Sequence, residues 1–192
     1  MQEVSRGRST KGNYLQVPLG KDRIHCKKLN PYYVCGFIDG EGSFSVSIGK
    51  HKTLKRGAEV RPEFEIELRA DDREILKRVL VTIGCGKIYD CSHERYGWYP
   101  HVKYKITSTK DMENYLFPFL DKYMLQAKKL ESYKLFKKIV MMMRKKKHLS
   151  DSGFGKIKIF RDEIRKMGKK HNTMETARVR ESRLPSGVRR SN

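Results

Sequence analysis

Two carboxylates, Asp39 and Glu41, close a short apolar run punctuated by glycines: Pro31-Tyr32-Tyr33-Val34-Cys35-Gly36-Phe37-Ile38-Asp39-Gly40-Glu41-Gly42. The run reads as a helix. Asn30 suits its N-cap and Pro31 its first position. Gly40 and Gly42 stop it and hold Glu41 between them. A carboxylate at that end faces the negative pole of the helix dipole, so folding alone does not favour it. A bound cation or a catalytic task would. Gly36 and Gly40 lie four residues apart with Cys35 beside them, a stripe almost without bulk that lets another backbone approach. The bland alternative is a buried helix that happens to end in Gly-Glu-Gly.

The nine residues from Val34 to Gly42 resemble the signature of the LAGLIDADG homing endonucleases. The resemblance implies a helix that packs against its twin through Val34, Cys35, Gly36, Phe37 and Gly40. It implies one metal-binding acid per copy, which falls on Glu41. A single signature in the chain then implies a homodimer with two active sites. The implied activity is site-specific, metal-dependent hydrolysis of both strands of a long DNA target by an intron-encoded enzyme. Mg²⁺ or Mn²⁺ suits the Glu41 carboxylate, the Gly40 carbonyl and DNA phosphate oxygens. The family also places a polar residue at the end of the second strand and a lysine before the long C-terminal helix. Those places fall near Leu68 and Tyr123, which cannot do that work. Their neighbours Arg69 or Glu67, and Lys122, are the substitutes. This departure keeps a second reading open: a catalytically weak relative acting as an RNA maturase, with intron RNA as partner, or as a DNA-binding regulator.

Composition points the same way. The chain has 192 residues, with 43 Lys and Arg against 22 Asp and Glu, a net charge of +21. That excess calls for a polyanion. No apolar run is long enough for a membrane-spanning helix, and the best basic helix turns its apolar stripe toward a core instead of a membrane surface, so nucleic acid is favoured over membrane. The four cysteines, Cys26, Cys35, Cys85 and Cys91, form no zinc-like spacing and read as reduced, buried thiols. An intracellular setting, bacterial cytoplasm or organelle, follows.

The charge is uneven. Residues 1–29 form a basic extension, and residues 30–143 form the balanced core, with 20 basic against 15 acidic residues from 31 onward. Residues 144–175 read as a basic helical region opened by Arg144-Lys145-Lys146-Lys147, and residues 176–192 as a disordered basic arm. Together 144–192 carry 16 basic and 5 acidic residues, half the excess.

Within the core, alternation predicts strands at 43–50, 61–69, 87–91 and 101–107. Helical spacing predicts helices after Asp71 or Asp72, at 111–120 with an interruption near Pro118, at 126–144 and at 156–167. The order is α-β-β-α-β-β-α. The fold class is α+β, an antiparallel four-stranded sheet with helices on its apolar face and an open polar face. The family resemblance implies the same order. A two-stranded ribbon fits the DNA major groove. The candidate DNA-contacting side chains are Ser43, Ser45, Ser47 and Lys50 on the first strand, and Arg61, Glu65 and Glu67 on the second. Lys87 and Tyr89 follow on the third, and His101, Lys103 and Lys105 on the fourth. Lys103 and Lys105 suit guanine acceptors. Glu63, Glu65 and Glu67 repel phosphates, so they contact bases or pair with Arg61, Arg69 or Lys105.

Overall fold

A computed structural model describes the backbone of residues 14–17, 26–54, 56–91 and 99–181, and side chains within 26–54, 56–91 and 99–168. The elements are β1 (Tyr14–Val17), α1 (Pro31–Glu41), β2 (Gly42–Lys50), β3 (Ala58–Arg69), α2 (Arg73–Ile83), β4 (Lys87–Cys91) and β5 (His101–Ile106). They are followed by α3 (Thr109–Asp111), a π turn (Met112–Leu116), α4 (Phe117–Lys122), α5 (Lys129–Arg144) and α6 (Asp151–Glu181).

The expected α-β-β-α-β-β-α core is present, and its sheet is antiparallel throughout. It gains a fifth strand, with the order β1-β4-β5-β3-β2. β1 comes from the segment read as a basic extension and pairs with β4, Tyr14 opposite Cys91 and Val17 opposite Ile88. Four residues offer too little alternation to separate a strand from a loop. The longest helix also exceeds what its periodicity suggests. α6 continues past Met167 to Glu181, while residues 182–192 of the basic arm lie outside the described residues.

Strand alternation sends Phe44, Val46, Phe64, Ile66, Val102, Tyr104 and Ile106 into the core, all buried. Ile48 and Leu68 are only partly covered. The helices supply the other half. Phe44 lies 5.0 Å from Phe64, 5.5 Å from Tyr133 and 5.3 Å from Phe136, ring centre to ring centre. Burying each such ring stabilises the fold by about 2–3 kcal/mol. α2 contributes Leu76, Val79, Leu80 and Ile83. Its end is set by Gly84 in the left-handed region, φ 96°. Gly86, φ 97°, admits no side chain, because a Cβ would meet the Tyr104 ring at 2.5 Å.

The wide π turn ends at Leu116, two residues before Pro118 in the first turn of α4. Proline cannot donate to the carbonyl four residues back, so the interruption expected near it takes this form. Of the two aspartates before α2, Asp72 takes its N-cap position at the end of a short 3-10 turn, without a side-chain capping hydrogen bond. Cys35, Cys85 and Cys91 are buried thiols, and Cys26 is a partly exposed one. Met141, Met142 and Met143 each pack partly against the core.

Candidate nucleic-acid interface

α1 is built as its sequence indicates. The Asn30 side chain accepts from the Tyr32 amide at 2.9 Å, and Pro31 takes the first turn. The helix then has two unlike faces. Val34, Cys35 and Ile38 are buried in this chain's own core. Gly36 and Gly40 face outward, and a Cβ built on either would meet nothing within 4 Å. Tyr32 and Tyr33 flank them, 70% and 53% exposed, and Tyr33 stacks on Phe37 at 6.1 Å. Two of the expected dimer-helix residues are therefore corrected. Val34 and Cys35 turn inward, because successive helical residues are 100° apart. The Cys35 thiol donates to the Tyr123 carbonyl. Burial, and then the nearby Asp39 charge, push that thiol up to about 11. The open stripe consists of Gly36 and Gly40, with Phe37 half-buried at its margin.

The other end of α1 meets the sheet without a loop. Gly42 is extended, and a Cβ there would strike the Ile38 carbonyl oxygen at 2.8 Å. Glycine at this point lets a helix become a strand in one step. Glu41 is thereby held, exposed, at the last helical position.

The two acids of the run have separate fates. Asp39 Oδ2 accepts from the amides of Gln126 at 2.7 Å and Ala127 at 3.2 Å, tying α1 to the entrance of α5. Lys129 in the first turn of α5 donates to the carbonyls of Ile38 at 3.1 Å and Gly40 at 3.0 Å. Burial lowers the lysine's pKa, and the charges of Asp39 and Glu41 pull it partly back. The cation on the carbonyl end of α1 is therefore Lys129. Lys122, the expected lysine, is exposed with its ammonium 5.3 Å from the Tyr123 ring centre. Arg69 is likewise occupied elsewhere: it pairs with Asp71 at 2.9 Å and lies over the Tyr99 ring at 4.6 Å. Sequence reasoning missed the roles of Asp39 and Lys129. Their contacts span nearly ninety residues and leave no local pattern.

Among the described residues no group of three or more His, Cys, Asp or Glu side chains could hold a metal. One chain offers the Glu41 carboxylate and the Gly40 carbonyl. These are hard oxygen donors at the negative end of a helix, and that end already attracts the Lys129 ammonium. The donor chemistry fits Mg²⁺ or Mn²⁺, provided that a second copy and a phosphate complete the shell. A carbonyl has two lone pairs, so Gly40 can accept from Lys129 and still face a metal.

The polar sheet face carries the expected contact residues of β2 to β5 in register except Lys50, which pairs with Ala58 in the alternate set of Phe44, Val46 and Ile48 at the exposed end of β2. Ser43 lies opposite Glu65, Glu65 opposite Lys105, and Lys105 opposite Lys87. The next row has Glu67, Lys103 and Tyr89. Ser43, Ser45, Ser47, Lys50 and Lys87 are exposed. Arg61 is exposed too and pairs with Glu59, two residues back on the same face, at 2.6 Å rather than with Glu63, Glu65 or Glu67. Lys103 and Lys105 do not stand ready for guanines as expected. Lys105 pairs with Glu63 at 3.0 Å and Glu65 at 3.3 Å. Lys103 pairs with Glu67 at 2.7 Å and is 9% exposed. His101 reaches Glu67 at 3.1 Å. Antiparallel pairing of acidic β3 with basic β5 makes a cross-strand ladder of opposite charges, so the three acids do not simply repel DNA.

Burial alone would lower the Lys105 pKa, but the hydrogen bond and charge of Glu63, and then Glu65, raise it above 10.5. Its stabilising contribution is therefore present below 10.5 and is lost as pH climbs through the higher folded value. Lys105→Met is expected to cost about 1–3 kcal/mol in urea unfolding at neutral pH. The difference from the parent should shrink above that range. An equal difference at all pH values would contradict the ladder.

The chain matches the family model described as LAGLIDADG endonuclease over residues 34–140. Among curated proteins it resembles the probable intron-encoded endonuclease 3 of Neurospora crassa, 31% identical over 145 residues. That match covers 74% of this chain and 26% of the relative, so the chain spans about a quarter of that relative's length. Among solved structures, I-SmaMI bound to uncleaved DNA with calcium superposes at a TM-score of 0.67 with 35% identity, covering 72% of this chain and 46% of that one. The homing endonuclease I-TnaI superposes at 0.65 with 30% identity, covering 71% of this chain and 88% of that one.

Proposed function

Because the chain belongs to the LAGLIDADG endonuclease family, we propose that it is a site-specific, intron-encoded DNA endonuclease that works as a homodimer. The observation that carries this reading is the exposed Glu41 at the end of α1, beside an outer face emptied of side chains at Gly36 and Gly40. A second α1 laid on that face brings two Glu41 carboxylates together. Like charges so placed disfavour each other's ionisation unless a cation lies between them. The outward, side-chain-free stripe at Gly36 and Gly40 is what supports two copies.

Glu41 and the Gly40 carbonyl of each copy would hold Mg²⁺ or Mn²⁺. Such a metal supplies an activated water and neutralises charge on the phosphate being cut. The chain's own residues do the rest. Lys129 fixes the Ile38 and Gly40 carbonyls and keeps a positive charge near the phosphodiester. Asp39 locks α5 to α1, so that Lys129 and Glu41 keep their spacing. Ser43, Ser45, Ser47 and the charge ladder face the base edges, while Lys50, Arg61 and Lys87 contact the backbone. Among the described residues no helix is long and apolar enough to cross a membrane. We place the protein inside the cell or organelle that houses its intron.

The test is purified protein, Mg²⁺ and DNA carrying the uninterrupted insertion site. Both strands should be cut, with staggered ends. No cutting in Mg²⁺ or Mn²⁺, together with faster splicing of the host intron, would replace this reading by the RNA maturase.

A further inference from the structure

α6 begins beyond residue 140, where the family match ends, and lies along β2, the edge strand of the sheet. Its inner face packs Ile157, Phe160 and Ile164 against the core. A groove between the two elements is lined by Phe44, Ser45, Val46 and Ser47 of β2 and by Arg161, Ile164 and Arg165 of α6. Phe44 and Val46 belong to the core side of β2, and Ser45 and Ser47 to its polar side. The helix thus wraps the sheet edge, with its apolar row inside and a basic row bordering the polar face.

That basic row is regular. Lys158, Arg161 and Arg165 follow Phe154 at spacings of four, three and four, one flank of the helix. Arg161 pairs with Asp162 at 2.9 Å. Among the described residues, Lys158 and Arg165 have no acidic partner. The row is firmly placed. Arg56, from the turn between β2 and β3, pairs with Asp151 at 2.6 Å, donates to the Leu149 carbonyl at 2.6 Å and lies 4.8 Å from the Phe154 ring centre. The connection from α5 to α6 adds Lys145, Lys146 and Lys147, all exposed. The sheet beside this tract is nearly neutral, because its ladder is internally paired.

We propose that α6 and the α5–α6 connection form a clamp for duplex phosphates along the β2 edge, extending the contact beyond the sheet. On this assignment the sheet reads bases with little net charge, and the clamp supplies sequence-independent affinity. The inference rests on the proposed DNA-binding function. It is tested on the full chain with a random-sequence duplex, without divalent metal, by anisotropy across a salt series. Each phosphate contact adds about 0.9 to the slope of log affinity against log salt. K158Q/R165Q should lower that slope by about 2, so that affinity falls about tenfold less between 50 and 200 mM salt. K156Q/K166Q removes the same charge from other faces of α6 and should leave the slope nearly unchanged. Equal slopes for the parent and K158Q/R165Q, or equal losses in both doubles, would overturn the clamp. A parent that binds no duplex at any salt, or prefers folded intron RNA, would overturn the DNA reading itself and the clamp with it.

Discussion

Glu41→Gln is expected to lower strand cleavage roughly a thousandfold while leaving duplex binding intact, since loss of a metal's charged ligand removes several kcal/mol of transition-state stabilisation. Glutamine preserves size and one oxygen, and Glu41 is exposed, so the fold has no reason to respond. Cleavage is read on the insertion-site DNA and binding on the same DNA without metal. Asp39→Asn is the informative companion. It weakens acceptance from the Gln126 and Ala127 amides, hydrogen bonds to a charged group worth about 1–3 kcal/mol. Its main effect should be on thermal stability and on the spacing of Lys129. Full cleavage by the E41Q protein would remove Glu41 from the metal site. Equal losses in both variants would mean that Glu41 acts only through the local fold.

Gly36→Leu and Gly40→Leu are expected to give a chain that folds at least as well as the parent and does not pair. Nothing in this copy lies within 4 Å of a Cβ at either position. Replacing a helical glycine by leucine favours the isolated helix by up to about 1 kcal/mol. Against a second α1, the same side chain holds the two backbones apart. Sedimentation should therefore show monomers, and nicking should replace double-strand cutting or vanish. Opposite signs for folding and pairing make the result diagnostic. Leucine variants that remain dimeric would place the partner surface elsewhere.

Much of the core is legible in the sequence because its pattern is local. Phe44, Val46, Phe64, Ile66, Val102, Tyr104 and Ile106 alternate along their strands, and all are buried. Asn30 and Pro31 mark the start of α1 as expected. What escapes is set by contacts between distant segments. Lys129 looks like any lysine opening a helix, and only packing of α5 against α1 lays it on the Gly40 carbonyl. β1 is too short to declare itself and is defined by its pairing with β4. Val34 and Cys35 adjoin Gly36 in sequence, which suggests the open stripe for them. Helical rotation, which adjacency ignores, turns them inward. The acids of β3 make sense only once register places Lys103, Lys105 and His101 across from them.

That ladder bears on any attempt to retarget the protein to another sequence. Lys105 answers to Glu63 and Glu65, and Lys103 to Glu65 and Glu67. No rung can be exchanged without unbalancing its neighbours, so single substitutions should behave non-additively. A change of base preference would come most cleanly from swapping an acid and its base partner together. Libraries that vary one position at a time would recover loosened sheets instead of new readers.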